Sequence, residues 1–275
     1  MVSIEQEIAE KLRDAGISAH LAEARQITAA AVHDDPAGAE TIARDWCAKR
    51  ISGLPLAYIL GRERFMGLEL VTDPGALVPR PETELLGQAA IQFLEQNASA
   101  SPNVIDMCCG SGNLACAIAH HVPGARVWAS DLTDGCVSLA RRNATYVGVD
   151  QRVQVFQGDL FTSLANLGLE GTIDLIVCNP PYISQGKLAS DRAELLQFEP
   201  REAFDGGPYG LSIHQRVIRE ALAYLKPDAP LLFEIGLGQE RQVKALFERT
   251  KAYGEVNFVT NAEGQVRVVW ARKSA

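Results

Sequence analysis

The chain has 275 residues, 47% of them hydrophobic and 22% charged, which is enough to bury a sizeable core and excludes wholesale disorder and a collagen-like or coiled-coil fibre. Its 26 Lys and Arg stand against 34 Asp and Glu, a net charge of −8, so no global field draws in a polyanion. Neither direct nucleic-acid binding nor an anionic membrane surface is expected.

The opening MVSIEQEIAEKLRDAG is amphipathic and charged from its fifth residue, unlike a basic region followed by an apolar signal core. No apolar run approaches the ~18 residues of a membrane span, so a soluble, cytoplasmic protein with no membrane partner is expected. Cys47, Cys108, Cys109, Cys116, Cys136 and Cys178 lack zinc-type C-x-x-C spacing and read as reduced thiols. No metal site is expected; the adjacent His120 and His121 diverge on a helix and do not chelate.

From Ser3 to about Ser52 apolar residues recur at helical spacing: Ile4, Ile8 and Leu12, then Leu21, Ala24, Ile27 and Ala31, then Ile42, Trp46 and Ile51. Gly16 and Asp35-Pro36-Ala37-Gly38 break them, which predicts a small three-helix domain within residues 1–60. Residues 61–81 are turn-rich and alternate through Phe65-Met66-Gly67-Leu68-Glu69-Leu70-Val71, a hairpin linking the two halves. Residues 82–275 carry strand-like runs at 103–108, 126–130, 153–157, 173–178, 229–235, 255–259 and 266–271. Helical patterns at Glu82–Gln96, Gly112–His121, Thr133–Val147 and Leu211–Leu225 separate the earlier runs. The alternation predicts an α/β fold with a doubly wound sheet. The last two runs have no long helix between them, so an antiparallel edge pair is expected.

The run Asn103 to Cys108 ends in Cys109-Gly110-Ser111-Gly112-Asn113 and turns helical, a strand, glycine turn and helix that let backbone approach a ligand closely. Asp131 ends the second strand 131 − 110 = 21 positions past Gly110, where a doubly wound fold places an acid for ribose hydroxyls. Asp159 closes the third strand, where it can accept from an adenine amino group while Leu160 covers the ring. Each Asp could instead only cap the next helix. A dinucleotide and S-adenosylmethionine both remain open on these features, although Leu114 and Ala115 stand where G-x-G-x-x-G needs its third glycine, which makes NAD the weaker choice.

The fourth strand, Ile173 to Cys178, runs into Asn179-Pro180-Pro181-Tyr182. Two prolines remove two donors and stiffen the chain, leaving the Asn179 side-chain oxygen and the Pro180 carbonyl as acceptors pointing one way. Together they can take both hydrogens of a planar –NH2 group, with Tyr182 stacked on its π system. Hydrogen bonds that draw those protons towards oxygen raise electron density on a delocalised nitrogen as it attacks, so Asn179, Pro180 and Tyr182 are the candidate catalytic residues.

In these motifs the chain resembles the HemK/PrmC methyltransferases, which use S-adenosylmethionine to methylate the glutamine amide nitrogen of the Gly-Gly-Gln motif in peptide-chain release factors. The resemblance spans nearly the whole chain, through Pro55-Leu56-Ala57-Tyr58-Ile59-Leu60-Gly61, Val78-Pro79-Arg80-Pro81-Glu82-Thr83-Glu84, Asn179 to Tyr182, Glu199-Pro200, Gly206-Gly207, Phe233-Glu234-Ile235-Gly236 and Gly264-Gln265-Val266-Arg267-Val268. It implies a Rossmann-like class I methyltransferase sheet over 82–275 behind a helical substrate-recognition domain. It further implies S-adenosylmethionine contacts from Asp106, Cys108, Cys109, Gly110, Ser111, Gly112, Asp131, Leu132, Asp159, Leu160 and Asn179. Substrate contacts would come from Asn179, Pro180, Pro181, Tyr182 and Glu199, with Arg80 and Glu82 bordering the cofactor pocket and Gly206-Gly207 in a lid.

Two departures bear on function. The family turn reads Asp-Leu-Gly-Thr-Gly-Ser-Gly, whereas Cys108 stands here in place of its first glycine. Gly206-Gly207-Pro208-Tyr209-Gly210 replaces Gly-Gly-x-Asp-Gly, which leaves open a paralogue acting on a small-molecule amine or amide. A non-catalytic binding protein on the same fold is the third alternative. His214 reads as an exposed helical histidine, and Cys109, where a helix start could lower a thiol pKa, reads more simply as packing against the cofactor.

Overall fold

Ser3 opens the first helix with reciprocal hydrogen bonds, its hydroxyl accepting from the Gln6 N–H at 3.2 Å while the Gln6 side chain accepts from the Ser3 N–H at 3.1 Å. The computed structural model describes residues 3–96, 99–190 and 197–275. The helices α1 (Ile4–Asp14), α2 (His20–Asp34) and α3 (Ala39–Ile51) bury Ile8 and Leu12, Ala24, Ile27 and Ala31, and Ala43 and Cys47. These residues recur every three or four positions and form one small core. A short α4 (Leu56–Leu60) follows. Leu21 and Ile51, counted with the apolar stripes from sequence, lie off this core and are exposed.

The chain divides into two compact units, Met1–Glu63 and Arg64–Ala275. The division falls inside the first hairpin strand, β1 (Arg62–Phe65), so β2 (Leu68–Val71) and the turn-rich segment after it go with the larger unit.

That unit is built on seven strands: β3 (Asn103–Met107), β4 (Arg126–Asp131), β5 (Val153–Gln157), β6 (Leu175–Cys178), β7 (Pro230–Glu234), β8 (Asn257–Thr260) and β9 (Val266–Arg272). Their order is β5-β4-β3-β6-β7-β9-β8. The first five pair in parallel, and β9 runs antiparallel to both β7 and β8, so the antiparallel edge is present with the last strand inserted inside it. Every residue of β6 and β7 is buried, as parallel strands covered on both faces require.

Side chains alternate across the sheet. Val104, Val127, Leu175 and Leu232 join a core with α5 (Glu84–Gln96), α6 (Asn113–His121) and α7 (Asp134–Val147). Ile105, Met107, Ile176 and Phe233 join the opposite core, which the later helices cover after the short α8 (Gln185–Ser190). Those helices are α9 (Ser212–Glu220) and α10 (Glu240–Thr250). The sequence pattern does not predict α10, because five charged residues leave Val243 and Phe247 as its only fully buried anchors.

No helix among the described residues is long and apolar enough to cross a membrane. Phe247 packs edge-on to Tyr253 at 4.9 Å and against Phe233 at 6.0 Å. Phe247→Ala is therefore expected to lower unfolding stability by about 3–5 kcal/mol, measured by denaturant titration.

Candidate active site

Parallel register brings the ends of three strands to one edge. Met107 pairs with Ser130 of β4 and with Cys178 of β6, so the residues that follow each of them, Cys108, Asp131 and Asn179, emerge side by side. The chain goes outward from β3 through β4 to β5 and returns to β6 on the other side of β3, which opens a crevice at this switch point.

A cavity with about 980 Å³ of empty space, mouth included, fills the crevice. Cys108, Cys109, Gly110 and Ser111 form its floor, with Asp131, Leu132, Asp159 and Leu160 along one wall and Asn179 and Pro181 on the other. The Asp131 carboxylate accepts from the Gly110 N–H at 2.8 Å with one oxygen and from the Thr133 N–H at 3.2 Å with the other. Each oxygen keeps a further lone pair for a ligand hydroxyl. Leu132 is 57% exposed at the rim, an apolar side chain without protein cover. Asp159 also pairs with Arg216 at 2.9 Å.

Cys108 takes φ +60°, a left-handed conformation that costs a residue with a side chain about 1–2 kcal/mol. The thiol thus occupies a backbone position suited to glycine. Gly112, by contrast, packs helix on helix: a Cβ there would stand 2.9 Å from the Ala140 Cβ, and it does not line the cavity.

Asn179 also lines a second, more open groove, shared with Pro180, Tyr182, Arg80, Glu82, Pro208 and Tyr209. The Asn-Pro-Pro-Tyr turn is held from behind by glycines 206 and 210. A Cβ on Gly206 would stand 2.7 Å from the Pro181 carbonyl oxygen, and one on Gly210, at φ +72°, would collide with that of Tyr182. Gly206 donates to the Ile183 carbonyl at 2.9 Å, and Ile183 to that of Phe204 at 3.0 Å. The 206–210 segment is therefore stitched to the turn, while Tyr209 at its tip is 85% exposed.

A buried polar chain lies behind Asn179. The Asn179 side-chain Nδ2 donates to the Thr83 Oγ1 at 3.1 Å, and the Thr83 hydroxyl contacts the Glu234 Oε2 at 2.6 Å. The Arg267 guanidinium and the Tyr182 hydroxyl both reach the Glu234 Oε1 at 3.3 Å. Burial and the Glu234 charge push the Tyr182 phenol up to about 12, so it stays protonated. Sequence reasoning assigned no role to Thr83, Glu234 or Arg267. Their signal was a threonine, an acid and an arginine inside otherwise plain motifs, visible only once three distant segments meet.

Several expected contacts fall elsewhere. Asp106 lies fully buried beneath the glycine turn, accepting from the Ala115 N–H at 3.0 Å, and does not reach the cavity. Glu199 lines neither space: it accepts from Arg80 at 2.6 Å and from the Val78 N–H at 3.2 Å, so it positions Arg80, which lines both. Glu82 borders the groove and not the cofactor cavity. His214 is fully buried against Phe233, with its pKa lowered to about 4 by desolvation, contrary to the exposed position expected. The Cys109 thiol is likewise raised well above its ordinary value by burial, because the protein covers it at the helix start. Among the described residues no cluster of His, Cys, Asp and Glu could hold a metal ion.

The family model described as "Methyltransferase small domain" matches residues 83–202. A release factor glutamine methyltransferase from Geobacter sulfurreducens is 38% identical over 79% of this chain and 74% of its own length. The chain belongs to the HemK/PrmC family of release factor glutamine methyltransferases. It is also 38% identical, over 74% of this chain and 68% of the relative, to the 4-amino-L-phenylalanine/4-methylamino-L-phenylalanine methyltransferase of Streptomyces pristinaespiralis. The solved methyltransferase from Pyrococcus furiosus shares the fold at TM-score 0.53 and 16% identity, covering 76% of this chain and 90% of that one.

As a member of this family the protein is an S-adenosylmethionine-dependent methyltransferase. The cavity fits that donor: its backbone turn lines the cavity at Gly110, Asp131 offers free lone pairs, and Leu132 offers an uncovered apolar face.

Burial raises the Asp106 pKa to about 8. The folded chain then holds a proton that the unfolded chain releases near the ordinary carboxylate value of about 4, so stability falls as pH rises through that window. Asp106→Asn should remove this slope, read by denaturant unfolding at several values between pH 5 and 8.

Proposed function

We propose that this enzyme methylates the side-chain amide nitrogen of the glutamine in the Gly-Gly-Gln motif of peptide-chain release factors. The observation that carries the reading is the orientation of Asn179. Its Nδ2 is engaged by Thr83, which leaves its carbonyl oxygen at the junction of cavity and groove. There it stands beside the rigid Pro180 backbone as an acceptor for a flat –NH2 group. The open groove admits a polypeptide loop.

In this reading Asp131 holds the ribose hydroxyls, Asp159 and Leu160 the adenine, and Cys108 to Ser111 the amino-acid tail. When bound, S-adenosylmethionine supplies an electrophilic methyl group on its sulfonium sulfur. Asn179 and Pro180 accept both hydrogens of the amide, which raises electron density on the nitrogen as the new bond forms and aligns it for attack. Tyr182 covers the amide plane and takes no proton, since its hydroxyl is kept protonated. The nitrogen's surplus proton leaves after transfer, so no strong base is required at the outset.

A second reading has its own support. The Streptomyces pristinaespiralis relative is named for an aromatic amine, a planar nitrogen with a delocalised lone pair like that of an amide, and Tyr209 stands in the segment that departs from the family pattern.

Incubation with a purified release factor, and separately with 4-amino-L-phenylalanine, distinguishes the two readings by mass spectrometry. A gain of one methyl group on the Gly-Gly-Gln glutamine is expected, and methylation of the free amine alone would overturn the proposal. Asn179→Ala should lower turnover by about 100-fold or more while changing donor affinity only a few-fold.

A further inference from the structure

Asn179 can act as an acceptor only if its amide stands the right way round. The two ends of an amide are nearly identical in shape, so sterics alone does not choose between them. Rotating the group would present –NH2 to the substrate's own –NH2, two sets of donors facing each other.

The structure holds a device that makes the choice. The Thr83 hydroxyl has one proton and two lone pairs. It lies 2.6 Å from Glu234 Oε2 and 3.1 Å from the Asn179 amide. Glu234 is itself almost fully buried, and both Arg267 and Tyr182 donate to its other oxygen. An ionised carboxylate only accepts, so the Thr83 proton goes to Glu234. Thr83 then has nothing but lone pairs to offer Asn179, which must answer with N–H. The Asn179 oxygen is left facing outward.

We infer that Thr83 is a positioning residue that sets the orientation of the Asn179 amide, with Glu234 fixing the direction of the Thr83 hydroxyl. Burial pushes the Glu234 carboxyl up from its ordinary value, and Thr83, Arg267 and Tyr182 counter that by favouring the charged form. The inference rests on the reading of Asn179 as the acceptor for the substrate nitrogen. It adds that this acceptor is set by its neighbours: Thr83 borders the donor cavity, and Glu234 and Arg267 border the groove.

The test compares Thr83→Val, which keeps the shape and removes both proton and lone pairs, with Thr83→Ser, which keeps the hydroxyl. Turnover is measured with whichever acceptor the release-factor and 4-amino-L-phenylalanine assays identify, and donor affinity by calorimetry. Thr83→Val should lower kcat by about 10–100-fold with donor affinity changed only a few-fold, and Thr83→Ser should stay within about threefold. A second readout needs no acceptor: the Asn179 side-chain N–H protons, followed by nuclear magnetic resonance, should exchange slowly in the parent and Thr83→Ser and quickly in Thr83→Val. Unchanged kcat in Thr83→Val, equal losses in both variants, or unchanged amide exchange would each overturn the inference. Failure of the underlying reading looks different, because Asn179→Ala would then turn over normally whatever Thr83 does.

Discussion

The parallel pairing of β3 with β6 is the constraint on which the site depends. With Met107 opposite Cys178, the glycine turn and the Asn-Pro-Pro-Tyr turn leave the sheet at the same height on adjacent strands. A slip of one residue would move the two turns apart along the strands and turn every β6 side chain to the other face, exchanging the members of the two cores. Burial of β6 on both faces is what forbids that slip. Packing in the sheet interior thereby fixes the distance between the donor cavity and the acceptor groove, and the chemistry inherits its alignment from hydrophobic registry.

Much of this was legible from the chain. The strand runs stood out by their apolar, β-rich composition, β6 and β7 most of all because strands buried on both faces are continuous apolar segments, and Gly110, Asp131 and Asn179 stood out because each follows a strand run. Helix α10 was not legible, since its apolar face is narrow and its charges dominate the pattern. The roles of Asp106, Glu199 and His214 were misread for a related reason. Each is a polar residue beside a functional motif, and sequence adjacency does not reveal that its side chain turns into the protein. Asp106 supports the turn from below, Glu199 holds Arg80, and His214 lies in the core under Phe233. Thr83, Glu234 and Arg267 escaped notice because their meaning lies in contacts across 151 and 33 positions of sequence, not in their own segments.

The buried Glu234–Arg267 pair adds little net stability, because desolvation of two charges offsets most of their attraction. Its value is directional. A carboxylate that receives three donors imposes an order on its neighbours, and the Tyr182 and Thr83 hydroxyls both take their orientation from it. Cys108 shows the same priority on the floor of the cavity, where a residue with a side chain holds a left-handed backbone conformation suited to glycine.

The insertion of β9 between β7 and β8 has a temporal side. Arg267 lies on the strand that follows every other element of the site in chain order, yet that strand fills an interior slot between β7 and the edge strand β8. During synthesis the ribosome releases the cavity, the prolyl turn and Glu234 first, and the guanidinium that completes their polar chain last. A nascent chain halted before β9 would expose the flank of β7 and leave Glu234 without its counter-charge, so the polar chain beside Asn179 closes only with the last strand of the sheet.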